Sequence, residues 1–131
     1  MSVGLEGRGI VVTGGGSGIG AATCRLLALK GATVGVLDRN ADAARAVAEE
    51  IGGLALACDV GASDQVDAAI ARADAELGGL TGLVNNAGLG NLKPLEDYSD
   101  RDVELIWRVN FFGTYACLRA AAPFLRVAAG R

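Results

Sequence analysis

Apolar residues recur along this chain in two alternating rhythms. Short β-branched or leucine-rich runs end at glycine or polar residues, and longer stretches between them place apolar residues three or four apart. Residues 9–13, GIVVT, predict a strand that runs into the turn GGGSGIG. From Ile19 to Lys30, Ala22, Leu26 and Leu29 recur at helical spacing, and Gly31 closes that helix. TVGVL (33–37) predicts a second buried strand. Asn40 is placed to cap the next helix, in which Val47 and Ile51 share a face before Gly52-Gly53. LALACDV (54–60) predicts a third strand. A third helix starts at Ser63 or Asp64, carries Val66, Ile70, Ala73 and Leu77 as its core stripe, and stops at Gly78-Gly79. LTGLVNNAG (80–88) holds a fourth strand and its exit. After a loop containing Pro94, Ser99-x-x-Asp102 reads as a capping box. Helical pattern then runs through Val103, Ile106, Val109, Phe112, Tyr115 or Ala116, and Leu118 to about Ala129, with Pro123 expected to kink or restart it.

Strand and helix alternate throughout, which predicts right-handed crossovers and a three-layer α/β unit on a parallel sheet, with residues 1–131 as one partial domain. Composition agrees: 51% hydrophobic and 21% charged residues suit strands buried on both faces. Twelve Lys and Arg against 15 Asp and Glu give a net charge of -3, which argues against a nucleic-acid footprint or an anionic membrane surface. The chain has no histidine, and Cys24, Cys58 and Cys117 are isolated, so no metal site is expected. No apolar run is long enough for a membrane span, and the N-terminal residues lack the pattern of a secretion signal. A cytoplasmic chain with reduced thiols is the expectation.

The candidate chemistry starts at Thr13-Gly14-Gly15-Gly16-Ser17-Gly18-Ile19-Gly20, between the first strand and first helix. Gly14, Gly16, Ser17, Gly18, Ile19 and Gly20 can bring backbone N–H groups to a pyrophosphate at a helix N-terminus. Asp38 lies twenty residues after Gly18, at the end of the second strand. A carboxylate there can accept hydrogen bonds from both hydroxyls of an adenosine ribose and would repel a 2′-phosphate. The alternative is a solvated or helix-capping Asp. Arg39 beside it could hold a 2′-phosphate, so NAD is the expected cofactor and NADP is disfavoured.

The spacing TGxxxGxG resembles the short-chain dehydrogenase/reductase family, and three later motifs agree. Asp59-Val60 ends the third strand, where the resemblance implies contacts to the adenine amino group and ring. Asn85-Asn86-Ala87-Gly88 resembles the family's NNAG signature, and Asn86, Ala87 and Gly88 form a low rim for the nucleotide. Asn110, in RVNFFGTY, matches the Asn that interrupts a long helix and helps organise a proton-relay water, although a purely structural amide is an equal reading.

The resemblance implies a Rossmann-type sheet in the order 3-2-1-4, cut short after the fourth strand and following helix, with an open outer edge. It implies reversible hydride transfer between nicotinamide and an alcohol/ketone pair, catalysed by a Ser and a Tyr-x-x-x-Lys pair that these residues lack. Tyr115-Ala116-Cys117-Leu118-Arg119 is only a superficial match, because Arg cannot be tuned as Lys can. The isolated chain is therefore expected to be inactive. A non-enzymatic nucleotide-binding or protein-interaction remnant, and one chain of a split enzyme, stand as alternatives. The apolar last helix implies a homo-oligomer or a complementary chain as partner. The alcohol or ketone is not readable, although Leu89–Tyr98, with Asn91 and Lys93, is placed to line one wall of its pocket.

Overall fold

In a computed structural model, which describes residues 4–90 and 92–130, four strands form one parallel sheet. They are Gly9–Thr13 (β1), Thr33–Asp38 (β2), Leu54–Ala57 (β3) and Gly82–Val84 (β4), in the order β3-β2-β1-β4. Val12 of β1 pairs with Val36 of β2 on one side and with Val84 of β4 on the other. Five α-helices connect or follow the strands: Gly18–Leu29 (α1), Ala41–Ile51 (α2), Ser63–Glu76 (α3), Asp100–Trp107 (α4) and Thr114–Ala129 (α5). A single 3-10 turn, Leu95–Asp97, precedes α4, and a wide π-turn, Arg108–Gly113, joins α4 to α5.

Successive strand residues point to opposite faces, so the sheet separates two cores. On one face Val12, Val34 and Val36 meet Ala21 and Cys24 of α1 and Ala44, Val47 and Ala48 of α2. On the other, Val11, Leu37 and Leu56 meet Val66 and Ile70 of α3 and Ala116, Cys117 and Ala121 of α5. Both faces are covered, which accounts for the high apolar content. Each fully buried Val or Leu contributes on the order of 2 kcal/mol.

Local signals end the elements where expected. The Asn40 side chain accepts the Ala43 N–H at 3.0 Å, and Gly52 closes α2 in the left-handed region. Ser99 and Asp102 form the reciprocal capping box of α4, with Asp102 N–H on Ser99 Oγ at 3.1 Å and Ser99 N–H on Asp102 Oδ2 at 3.0 Å.

Three expectations need correction. The stripe Ala22, Leu26 and Leu29 does not face the sheet: Leu26 is 53% exposed and Leu29 84%, and α1 buries Gly20, Ala21 and Cys24 instead. Small residues let the helix sit close to β1 and β2. The third strand stops at Ala57, and Cys58–Val60 form its exit, bent by the turn that Asp59 closes on Gly61. Helix α5 continues through Pro123 without a restart, and the interruption of the long helical stretch falls at Arg108–Gly113.

Candidate functional site

In a parallel sheet whose connections leave in opposite directions from a central strand, the C-terminal strand ends open a crevice. Here that point lies between β1 and β4. A cleft of about 430 Å³ opens there, lined by Gly14, Ser17, Gly18, Ile19, Asp38, Arg39, Asp59, Val60, Asn86, Ala87 and Gly88, with Leu37, Cys58, Leu89 and Val109 behind them. The structure thus brings eleven of the expected site residues to one surface. Gly16 and Gly20 lie in the same turn, and Asn110 stands next to Val109.

The floor is built by Thr13, the one buried polar residue among the described residues. Its Oγ1 accepts the N–H groups of Asn86 and Ala87, both at 3.0 Å, and donates to the Val84 carbonyl at 3.4 Å. One hydroxyl therefore fixes the exit of β4 against the end of β1. Asn86 Nδ2 returns a bond to the Gly14 carbonyl at 3.3 Å, and Asn85 Nδ2 reaches the Thr114 carbonyl at 3.5 Å. Sequence alone assigns Thr13 no role, because its partners lie more than 70 positions away.

Gly14 has φ +65°, and Gly20 packs its bare Cα onto the turn: a Cβ there would lie 2.0 Å from the Gly14 carbonyl oxygen. The first turn of α1 is consequently pressed against the end of β1, and Gly18 and Ile19 of that turn line the cleft. It carries no acidic residue and no side-chain cap, whereas α2, α3 and α4 each have an Asp in the first turn. The positive end of the α1 dipole is left uncompensated.

Asp38 is tied at both oxygens. Oδ2 accepts the Gly16 N–H at 2.9 Å, and Oδ1 accepts the Asn40 N–H at 2.9 Å. Each oxygen keeps a second lone pair for an incoming hydroxyl. Arg39 is exposed at the rim. Asp59 Oδ1 accepts the Gly61 N–H at 2.9 Å, and Gln65 Oε1 accepts the Asp59 N–H at 3.0 Å.

Asn110 forms a two-pronged pair with one peptide. Its Oδ1 accepts the Leu89 N–H at 2.7 Å and its Nδ2 donates to the Leu89 carbonyl at 2.8 Å. The side chain thus anchors the segment leaving Gly88 to the π-turn. Lys93, placed by sequence on the wall of the substrate pocket, ion-pairs with Asp102 at 2.8 Å and lies 5.0 Å from the Tyr98 ring centre. The bond from Lys93, with the Ser99 N–H, holds the Asp102 carboxyl down at about 2. Asn91 lies outside the described residues. Tyr115 and Arg119 contact each other on α5, with Tyr115 48% exposed and neither residue in the cleft lining.

All three cysteines are free and buried. Burial pushes the Cys24 and Cys58 thiols up to about 11 and Cys117 up to about 12, so none is a nucleophile at neutral pH. Among the described residues no group of three His, Cys, Asp or Glu is placed to hold a metal ion, and no helix is long and apolar enough to cross a membrane.

A glycine turn under an uncompensated helix end, a carboxylate at the end of the next strand and a low rim at β4 define a nucleotide-binding parallel α/β protein. Comparison with known proteins gives the family. The model of the short chain dehydrogenase family matches residues 8–131. D-threitol dehydrogenase of Mycolicibacterium smegmatis is 37% identical over 131 residues, covering 96% of this chain and 50% of its own length. A 2,5-dichloro-2,5-cyclohexadiene-1,4-diol dehydrogenase of Sphingobium indicum is 41% identical over 118 residues, covering 88% and 47%. The crystal structure of 3-ketoacyl-(acyl-carrier-protein) reductase from Brucella melitensis complexed with NADH superposes with a TM-score of 0.92 at 37% identity, over 96% of this chain and 54% of that one. The chain belongs to the short-chain dehydrogenase family and spans about half the length of these relatives.

Proposed function

We propose that this chain is the cofactor-binding part of an NAD-dependent short-chain oxidoreductase that interconverts an alcohol and a ketone. The observation that carries the reading is the convergence of the Gly14–Gly20 turn, Asp38, Asp59-Val60 and Asn86–Gly88 on one cleft. Its volume falls within the usual range for small-molecule sites. A Cβ at Gly18 would meet nothing within 4 Å, so the turn presents its backbone to open space where a pyrophosphate fits.

The α1 N-terminus and the turn hold the pyrophosphate, Asp38 receives the adenosine ribose hydroxyls, and Asp59 and Val60 form the adenine wall. Asn110 positions the segment after Gly88, and Leu89–Tyr98 offers one wall to the alcohol or ketone. A bound nicotinamide supplies or accepts the hydride. Proton transfer needs a Ser and a Tyr–Lys pair that these 131 residues do not supply, so they are inactive alone. The exposed side chains of Val103, Leu105, Trp107, Phe111 and Leu118 support a second copy or a complementary chain as partner, and they also favour the alternative of a nucleotide-binding interaction protein or one chain of a split enzyme. Free, buried thiols support a reducing, cytoplasmic setting.

Calorimetric titration with NADH and NADPH tests the reading. NADH is expected to bind at least about tenfold more tightly, a difference of about 1.4 kcal/mol, and Asp38→Ser to narrow that ratio. Tighter binding of NADPH would reverse the cofactor assignment, and binding of neither would sink the dinucleotide reading.

A further inference from the structure

The turn after β3 is held from a distant part of the chain. Locally, Asp59 accepts the N–H groups of Gly61, through its side chain, and of Ala62, through its carbonyl. The Gly61 carbonyl is reached from 47 positions away: Arg108 Nη1 donates to it at 3.2 Å. The Arg108 stem lies along the same peptide, since a Cβ at Gly61 would come within 2.9 Å of its Cγ. At the other end of the π-turn, Gly113 packs on the neighbouring residue. A Cβ at Gly113 would lie 2.7 Å from Val60 Cγ2. The two ends of Arg108–Gly113 therefore grip residues 60 and 61, the first of which lines the cleft.

We propose that Arg108 is a positioning residue for the adenine end of the cofactor cleft, acting through the Gly61 peptide on Asp59 and Val60. The inference rests on the dinucleotide reading of the cleft. Arg108 does not itself line that cleft. Glycine at 61 leaves its peptide free to rotate once the guanidinium is gone, and the Asp59 carboxylate is bonded to that same glycine's N–H. Loss of Arg108 therefore loosens the carboxylate and the Val60 wall together, while the exposed side chain itself contributes little to global stability.

The test uses the protein expressed from its natural gene, as wild type and as Arg108→Ala, Arg108→Met and Arg108→Lys. Affinities are measured for NADH and for its hypoxanthine analogue, in which an oxo group replaces the adenine amino group, with thermal melting as control. Arg108→Ala is expected to weaken NADH binding about fivefold to tenfold, the loss of one hydrogen bond to the wall, and to erase the preference for adenine over hypoxanthine. Arg108→Lys restores part of both, and Arg108→Met, which keeps the stem without the donor, does not. Should the Ala variant fail to fold, the Met and Lys pair carries the same comparison. Wild-type affinity and preference in folded Arg108→Met overturn the inference. A wild-type protein that binds neither nucleotide overturns the dinucleotide reading beneath it.

Discussion

The two helical layers treat their large apolar residues in opposite ways. Against one face of the sheet, α1 and α2 bury Ala21, Cys24, Ala44, Val47 and Ala48, and the exposed Ile19, Leu26 and Leu29 are spread along one helix. Beyond the other face, α4, the π-turn and α5 expose Val103, Leu105, Trp107, Phe111, Tyr115 and Leu118 along one continuous stretch. Trp107 stacks on Phe111 there with ring centres 4.4 Å apart. The layer that presents the glycine turn is completed by its own chain, and close packing of small residues leaves it little tolerance for added atoms. The second layer has a core inside and several large apolar side chains outside.

The contrast predicts unequal responses to substitution. The largest effect is expected at Gly20. Its missing Cβ would stand 2.0 Å from the Gly14 oxygen and 2.6 Å from Asn86 Nδ2. Gly20→Val should cost about 3 kcal/mol in a urea unfolding curve and abolish NADH binding, because helix and turn must separate. An intermediate outcome is expected among those exposed side chains. Phe111→Ser should cost no more than about 1 kcal/mol in unfolding, the loss of the Trp107 stack, while lowering the sedimenting mass at a fixed concentration. A drop of several kcal/mol would show that Phe111 belongs to the core of its own chain, and the contrast between layers would fail. The smallest effect belongs to Asp102. Its folded pKa is depressed by Lys93 and the Ser99 N–H, so its contribution is complete above the ordinary carboxylate value near 4 and is lost as pH falls through about 2. Asp102→Asn should be slightly less stable than wild type at neutral pH, and circular dichroism during acid titration should show the two converge between about pH 4 and pH 2. A constant gap across that range would remove the ion pair from the account.

Much of the fold was legible because strands and turns announce themselves within a few residues. GIVVT before a glycine turn, Asn40 three residues before its bonded N–H, and the Ser99–Asp102 box are all local signals. The cleft was legible for a related reason: glycines and carboxylates at strand ends are conspicuous in an apolar chain. The buried face of α1 was not, since periodicity weights Leu26 and Leu29 above the glycine, alanine and cysteine that touch the sheet. Nor was the position of the break readable from periodicity, because Val109 and Phe112 continue the helical spacing across Arg108–Gly113, and Pro123 looked the better candidate. The resemblance, through Asn110, pointed to the right place. What holds the site together was least visible. Thr13 with Asn86, Asn110 with Leu89 and Arg108 with Gly61 join residues between 21 and 73 positions apart. No window along the chain contains both members of such a pair.

The π-turn also sets the phase of everything after it. A turn bonded one residue wider than an α-helical turn accommodates an extra residue, and each residue advances a helix by about 100°. Closing Arg108–Gly113 to regular α-helix with no residue lost would therefore rotate α5 by more than a quarter of a circle. Cys117 would turn out of the core and Tyr115 into it. Losing one residue as the turn closes would instead keep α5 in phase, so the width of the turn and its extra residue offset each other.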